Sequence, residues 1–140
     1  MNNLLLGIAR KAGLLVTGEE SVTRAVRAYQ ARVIFSAADT SPNAVHRAEQ
    51  LAEQAGCPHV RLPATKEELG ALLGQGTPAI LALTEEGLAY KYVLQLSQER
   101  PEYIPVAETL RKAAEEAAQR RKEAAAQRRN KRTGKRRTKQ

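Results

Sequence analysis

The stretch VTGEESVTRAV, Val16 to Val26, sets a glycine ahead of two glutamates, a serine and an arginine. It reads as a strand end, a glycine turn and the first turns of a helix. That geometry aims backbone N–H groups and the positive end of a helix dipole at whatever lies in front, and phosphate is the usual guest. Carboxylates at Glu19 and Glu20 suit a different task. A carboxylate only accepts hydrogen bonds, and guanine offers N1–H and N2–H donors on one edge. A glutamate here could read guanine while N–H groups and an arginine hold phosphates nearby. The same glutamates also complement the helix dipole, worth about 0.3–1 kcal/mol each, with no ligand at all. Gly18 serves as a turn residue, or lets a nucleic-acid backbone approach where no Cβ stands in the way. Arg24 lies one helical turn beyond Glu20, with Arg27 three residues on, and its fork of donors fits a phosphate.

A second stretch, GQGTPAILA, has the composition of a stiff loop of small residues leading into a strand. Thr77, Pro78 and Ala79 could lie against an exposed base or ribose. Ile80 could pack on an extruded nucleotide or simply fill the core. Other reactive residue types lack partners. Asp39, in AADTSP, reads as a turn or helix-start residue, because no base, nucleophile or metal ligand accompanies it. His46 falls on a solvated helix face and His59 near a strand start. Cys57, after Gly56, reads as a small residue entering that strand. One cysteine and two scattered histidines give no metal-ligand spacing, and no Gly-rich cofactor loop is present. No catalytic residue, metal or cofactor is expected, and enzyme activity is not expected. With one Phe and four Tyr, base stacking on an aromatic sheet surface is disfavoured as well.

The elements that position these residues belong to a chain of 140 residues, 42% hydrophobic and 27% charged. That is enough for one small domain. No apolar run approaches the eighteen or so residues of a membrane span. The start, MNNLLLGIARKAG, lacks the pattern of an export signal, and the lone cysteine fits a reducing cytoplasm. A cytoplasmic monomer with no membrane partner is expected. The formal net charge of +8 is unevenly placed: residues 99–140 hold 14 Lys and Arg against 6 Asp and Glu. The first 98 residues are therefore balanced, and the remainder carries all the excess.

Over residues 1–98 helix-like and strand-like segments alternate. NNLLLGIARKAG is a short helix with Leu4, Leu5 and Ile8 on one side, and LLVT is a brief strand. From Glu19 to Tyr29, Val22, Ala25, Val26 and Tyr29 fall at i, i+3, i+4 and i+7, a single buried helical face. ARVIFSAA is a strand covered on both sides. SPNAVHRAEQLAEQAG opens with Ser41 as N-cap and Pro42 at the first helical position, and stops at Gly56. PHVRL is a strand. TKEELGALLG begins with a capping box, Thr65 and Glu68. PAILALT is a buried strand and EEGLAYKYVLQLS a helix with Leu88, Tyr92 and Leu96 along one face. The alternation predicts an α/β fold, a three-layer α/β/α sandwich with a four-stranded mixed sheet.

Residues 99–123 read as a linker and a charged, Ala-rich helix, exposed and fraying, with Glu108–Lys112 and Glu116–Arg120 as i,i+4 pairs. Residues 124–140 read as a basic tail, disordered when free. It carries Arg128, Arg129, Lys131, Arg132, Lys135, Arg136, Arg137 and Lys139, a run that binds phosphates without sequence preference.

Three blocks in order, LLGIARKAGLLVTGEESVTRAVRA, ARVIFSAADTSPNA and LPATKEELGALLGQGTPAILALT, make the chain resemble the ribosomal kink-turn-binding family. That family includes the archaeal L-seven-Ae and eukaryotic L-thirty-e proteins, and the likeness is greatest to its bacterial YlxQ-like branch. It runs from about Leu4 to Leu96. The resemblance implies a non-catalytic RNA-binding domain that grips a kink-turn, a sharp bend flanked by tandem sheared G·A pairs. It places the RNA contacts at the start of the second helix and in the loop before the last strand: Thr17, Gly18, Glu20, Ser21, Arg24 and Arg27, with Thr77, Pro78, Ala79 and Ile80. In the family motif G-x-N-E-x-x-K, Gly18 matches the glycine and Arg24 the lysine. Glu20 stands where asparagine is usual and Ser21 where glutamate is usual, although the YlxQ-like branch also has acidic residues after the glycine. The partner implied is structured RNA, ribosomal or other. In a different class, the same fold also serves as a protein-interaction module, here with a tail that tethers it to RNA.

Overall fold

The computed structural model describes residues 3–74 and 76–137, with side-chain surroundings as far as residue 131. The elements follow in the order α1 (Leu4–Lys11), β1 (Leu15–Thr17), α2 (Glu19–Arg27), β2 (Val33–Ser36), α3 (Pro42–Ala55) and β3 (His59–Arg61). Then come α4 (Lys66–Leu73), β4 (Ile80–Leu83), α5 (Glu86–Glu99), a 3₁₀ turn (Pro101–Tyr103) and α6 (Ile104–Arg137). The strands form one mixed sheet in the order β1-β4-β2-β3. β4 is antiparallel to both β1 and β2, while β2 and β3 run parallel.

Strand alternation divides the core into two halves. Leu15, Val33, Phe35, Leu81 and Leu83 face one way, onto Leu6, Leu69, Leu73, Tyr92, Val93 and Leu96. Val16, Ile34, Ile80 and Ala82 face the other, onto Val22, Val26, Ala48 and Leu51 of α2 and α3. Side chains of period two thus feed both layers of a three-layer α/β/α sandwich. Local chemistry sets the helix ends. Ser41 Oγ accepts from the Ala44 N–H at 3.3 Å, with Pro42 at the first position, and Gly56 ends α3 at φ 68°. Thr65 and Glu68 form the reciprocal capping box that starts α4.

Two sequence expectations fail locally. α2 does not carry Tyr29 on its buried face, because it stops at Arg27 and leaves Tyr29 85% exposed with φ 58°. The Gln30 N–H donates to the Ala25 carbonyl and the Tyr29 N–H to that of Val26, which is a Schellman close with tyrosine in the left-handed position usually taken by glycine. In α1 the buried pair is Leu6 and Ala9, while Leu4 and Ile8 are 62% and 49% exposed. Three consecutive leucines leave the buried face ambiguous, and tertiary bonds decide it. The Tyr92 hydroxyl donates to Asn3 Oδ1 at 2.8 Å, and the Arg10 guanidinium donates to the Leu73 carbonyl.

The largest departure is α6. Its first half is docked rather than exposed: Ala107, Leu110 and Ala117 are buried, and Tyr103 and Val106 pack against the larger core cluster. Packing therefore does not end at residue 98. Among the described residues neither expected pair, Glu108–Lys112 or Glu116–Arg120, closes to ion-pair distance; Arg111 bonds Glu108 instead and also reaches Glu115 at 2.6 Å. Arginine's planar fork of five donors can serve two carboxylates at once. Residues 124–137, expected as part of a disordered tail, continue α6 as helical backbone, and residues 138–140 lie outside the described residues. Docking of the first turns supplies the costly helical nucleus, after which Ala, Glu, Lys, Gln and Arg propagate it cheaply.

Candidate nucleic-acid interface

The sheet brings the two candidate stretches together. Because β1 and β4 are antiparallel, the carboxyl end of β1 lies beside the amino end of β4, with Thr17 opposite Leu81. One residue further, the Gly18 N–H donates to the Ile80 carbonyl at 2.8 Å. The start of α2 and the 76–79 loop thus flank each other at one end of the sheet. The loop is held from its other side too. The Ala79 carbonyl accepts from the Ala37 N–H at 2.8 Å and from Thr40 Oγ1 at 3.2 Å. Thr77 is exposed, Pro78 and Ala79 are half-buried, and Ile80 is buried in the core next to α2. Ile80 therefore reads as a core residue whose carbonyl, not its side chain, shapes the site.

Gly18 allows this junction. It sits at φ 91° and ψ 148°, outside the range open to L residues, and no side chain caps the helix that follows. No atom lies within 4 Å of where a Cβ would be, so any cost of substitution is a backbone cost. Gly18→Ala is expected to destabilise the fold by about 1–3 kcal/mol in a denaturant melt. Gly7→Ala, inside α1 and also in open space, is expected to stabilise instead, by up to about 1 kcal/mol.

The two glutamates part ways. Glu19 Oε1 accepts from Arg47 Nε of α3 at 2.5 Å, so it ties the start of α2 to the neighbouring helix. Glu20 points to solvent, its side chain 88% exposed, and accepts from Arg24 Nη1 at 3.2 Å. Arg24, 65% exposed, also donates through Nη2 to Ser21 Oγ at 3.2 Å. Exposed pairs of this kind are worth only about 0.3–0.5 kcal/mol. A phosphate can displace Glu20 from Arg24 at little cost, or a guanine edge can displace Arg24 from Glu20. Arg27 is exposed in the last turn of the same helix, and Thr17 is half-buried at the end of β1. The sequence held no local sign of Arg47 or Thr40 as supports, since both act across long separations.

In the tail, Arg128, Arg129 and Lys131 are exposed on helical backbone. The backbone of Arg132, Lys135, Arg136 and Arg137 is helical as well, whereas their side chains and the whole of Lys139 lie outside the described residues. Residues away from this face have structural work. Asp39 Oδ1 accepts from the Lys66 N–H at 2.8 Å and so caps α4. His59 Nε2 lies 2.9 Å from Ser36 Oγ, and burial lowers the His59 pKa below its ordinary value. Burial pushes the Cys57 thiol up to about 11, only partly offset by Arg32, so it is a poor nucleophile at neutral pH. Among the described residues no three His, Cys, Asp or Glu side chains are grouped to hold a metal. No described helix is long and apolar enough to cross a membrane.

An α/β/α sandwich with this sheet order, a glycine-led α2 and a small-residue loop beside it defines the class. The sequence model of the ribosomal protein L7Ae/L30e/S12e/Gadd45 family matches residues 3–92, and the chain belongs to that family. Within it, the chain is similar to the RNA-binding protein YlxQ of Bacillus subtilis (strain 168), 29% identical over 93 residues, which are 64% of this chain and 88% of the relative. It is also similar to the solved structure of a protein with unknown function from Bacillus halodurans C, at 26% identity and a TM-score of 0.52. That match covers 62% of this chain and 87% of the other. The second half of α5, the 3₁₀ turn and the whole of α6 fall outside the family match.

Proposed function

We propose that the protein is a non-catalytic RNA-binding protein of the cytoplasm that recognises kinked, structured RNA, ribosomal or other. The face formed by Thr17, Gly18, Glu20, Ser21, Arg24 and Arg27 with Thr77, Pro78 and Ala79 makes the specific contacts. Arg24 takes a phosphate, the exposed Glu20 accepts from a guanine edge, and Gly18 lets the backbone come close. Ile80 supports the loop from beneath. The observation that carries this reading is the Gly18 N–H bond to the Ile80 carbonyl. It holds the start of α2 and the small-residue loop side by side. A relative that is named as RNA-binding, 29% identical over 93 residues, supports it. Such a face captures one RNA shape: tighter binding to the bent form than to the straight form shifts the population toward the bend.

The basic end of α6 adds phosphate contacts without sequence preference. If about four of its eight basic residues meet duplex RNA, log affinity falls against log salt with a contribution of about −3 to −4. Deleting residues 124–140 leaves the docked Ala107, Leu110 and Ala117 in place. The truncated chain is expected to bind kinked and straight RNA more weakly by the same factor, with a shallower salt dependence and unchanged discrimination. Titrations at two salt concentrations check this. Equal slopes for the two chains mean that the tail does not touch RNA.

A further inference from the structure

At the sheet edge opposite β1, a groove of about 560 Å³ opens between β3 and the junction of α5 with α6. Its volume lies in the range of about 300–1,000 Å³ that holds a drug-sized ligand. Arg61, Leu62 and Pro63 form one wall, and Arg100, Glu102 and Tyr103 the other. The Tyr103 hydroxyl donates to the Arg61 carbonyl at 2.6 Å and fixes the two walls together. The first wall lies within the residues matched by the family and the second, from the end of α5 and the 3₁₀ turn, lies beyond them.

Position and charge both suggest an occupant. β1, β2 and β3 all end, and β4 begins, at the same end of the sheet. Crevices at the carboxyl ends of strands are where open α/β sheets take ligands. Arg61 and Ala38 in the groove are therefore at the same end as Gly18 and the 76–79 loop. Backbone bonds bridge them: the Ala37 N–H donates to the Ala79 carbonyl and the Ala38 N–H to the Ala64 carbonyl, each at 2.8 Å. Arg61 and Arg100 are both exposed, and among the described residues neither is in an ion pair. Arg61 donates through Nη2 to the Ala38 carbonyl at 2.7 Å, which orients the guanidinium and leaves further N–H donors. Glu102 opposes them, while burial of His59, which also lines the groove, disfavours its charged form. Two arginines against one carboxylate favour an anion.

We propose that this groove is a second RNA-binding site, in which Arg61 and Arg100 hold the phosphodiester backbone of a strand running on from the α2 face. The proposal rests on the RNA-binding reading above, so one set of variants separates the two. The full chain is titrated against a fluorescent RNA containing tandem G·A pairs, at several salt concentrations. Arg61→Ala with Arg100→Ala is expected to weaken binding about tenfold or more, and to make the log–log salt slope shallower by about 1.4–1.8. Glu102→Lys is expected to tighten binding severalfold and steepen the slope, a gain that lost folding does not produce. Lys91→Ala, an exposed residue of α5 outside the groove, controls for loss of charge and is expected to change affinity less than about twofold. If Arg24→Ala weakens binding and the groove variants do not, the groove proposal is overturned and the α2 reading stands. If the groove variants weaken binding and Arg24→Ala does not, the continuing strand is overturned along with the α2 reading. A wild-type chain that ignores the RNA overturns both.

Discussion

Leu110→Ala is expected to lower the unfolding free energy by about 2–5 kcal/mol, with a fall in melting temperature of roughly 10 °C or more. Leu110 is 2% exposed and belongs to the same cluster as Phe35, Tyr92 and Leu96. Removing its side chain leaves a cavity that an α/β core cannot close without moving α6. Ile104, six residues earlier on the same helix, is 54% exposed, and Ile104→Ala is expected to change stability by less than about 1 kcal/mol. Ending the chain at residue 98 removes Ala107, Leu110 and the half-buried Val106 and Tyr103 together. That chain is expected to melt lower still, or without a cooperative transition. Thermal melts followed by circular dichroism compare the three. A Leu110→Ala protein as stable as the wild type means that α6 does not dock. Any RNA experiment on the folded part must therefore keep α6 to at least Ala117.

Arg24→Ala is expected to cost about 1.5–3 kcal/mol of RNA affinity if the guanidinium holds a phosphate through a charged hydrogen bond, roughly tenfold to a hundredfold in Kd. Folding stability should hardly change. The lost partners are an exposed carboxylate and a serine hydroxyl at 3.2 Å, both within its own helix. Such contacts add little to folding. Binding isotherms and melts on the same preparation separate the two quantities. Affinity that stays constant moves the site off α2 and favours a protein-interaction module.

Much of the fold was legible in local pattern. Ser41 with Pro42, the Thr65–Glu68 box and the glycines at 56 and 74 mark helix ends through bonds within a few residues. The buried strands show themselves as apolar runs because helices cover both faces. What was not legible depends on partners far along the chain. Tyr29 fits a helical period, yet the backbone turns left-handed there and expels it. The face of α1 is chosen by Tyr92 and Leu73. α6 carries so much alanine that its docking is decided by Leu110 fitting a cleft made by other elements. In the site, sequence supplied Gly18, Glu20 and Arg24 but left open what each glutamate does. The structure gives Glu19 to Arg47, 28 residues away, and leaves Glu20 facing solvent.

The most direct test is energy transfer between dyes on the two arms of an RNA with tandem G·A pairs, titrated with the full-length chain. Binding should raise the transfer efficiency as the arms fold together, while a matched duplex shows no change at the same occupancy. Arg24→Ala should shift the curve to higher protein concentration without lowering its plateau. Binding of both RNAs with equal affinity and no change in transfer would contradict recognition of a kinked shape.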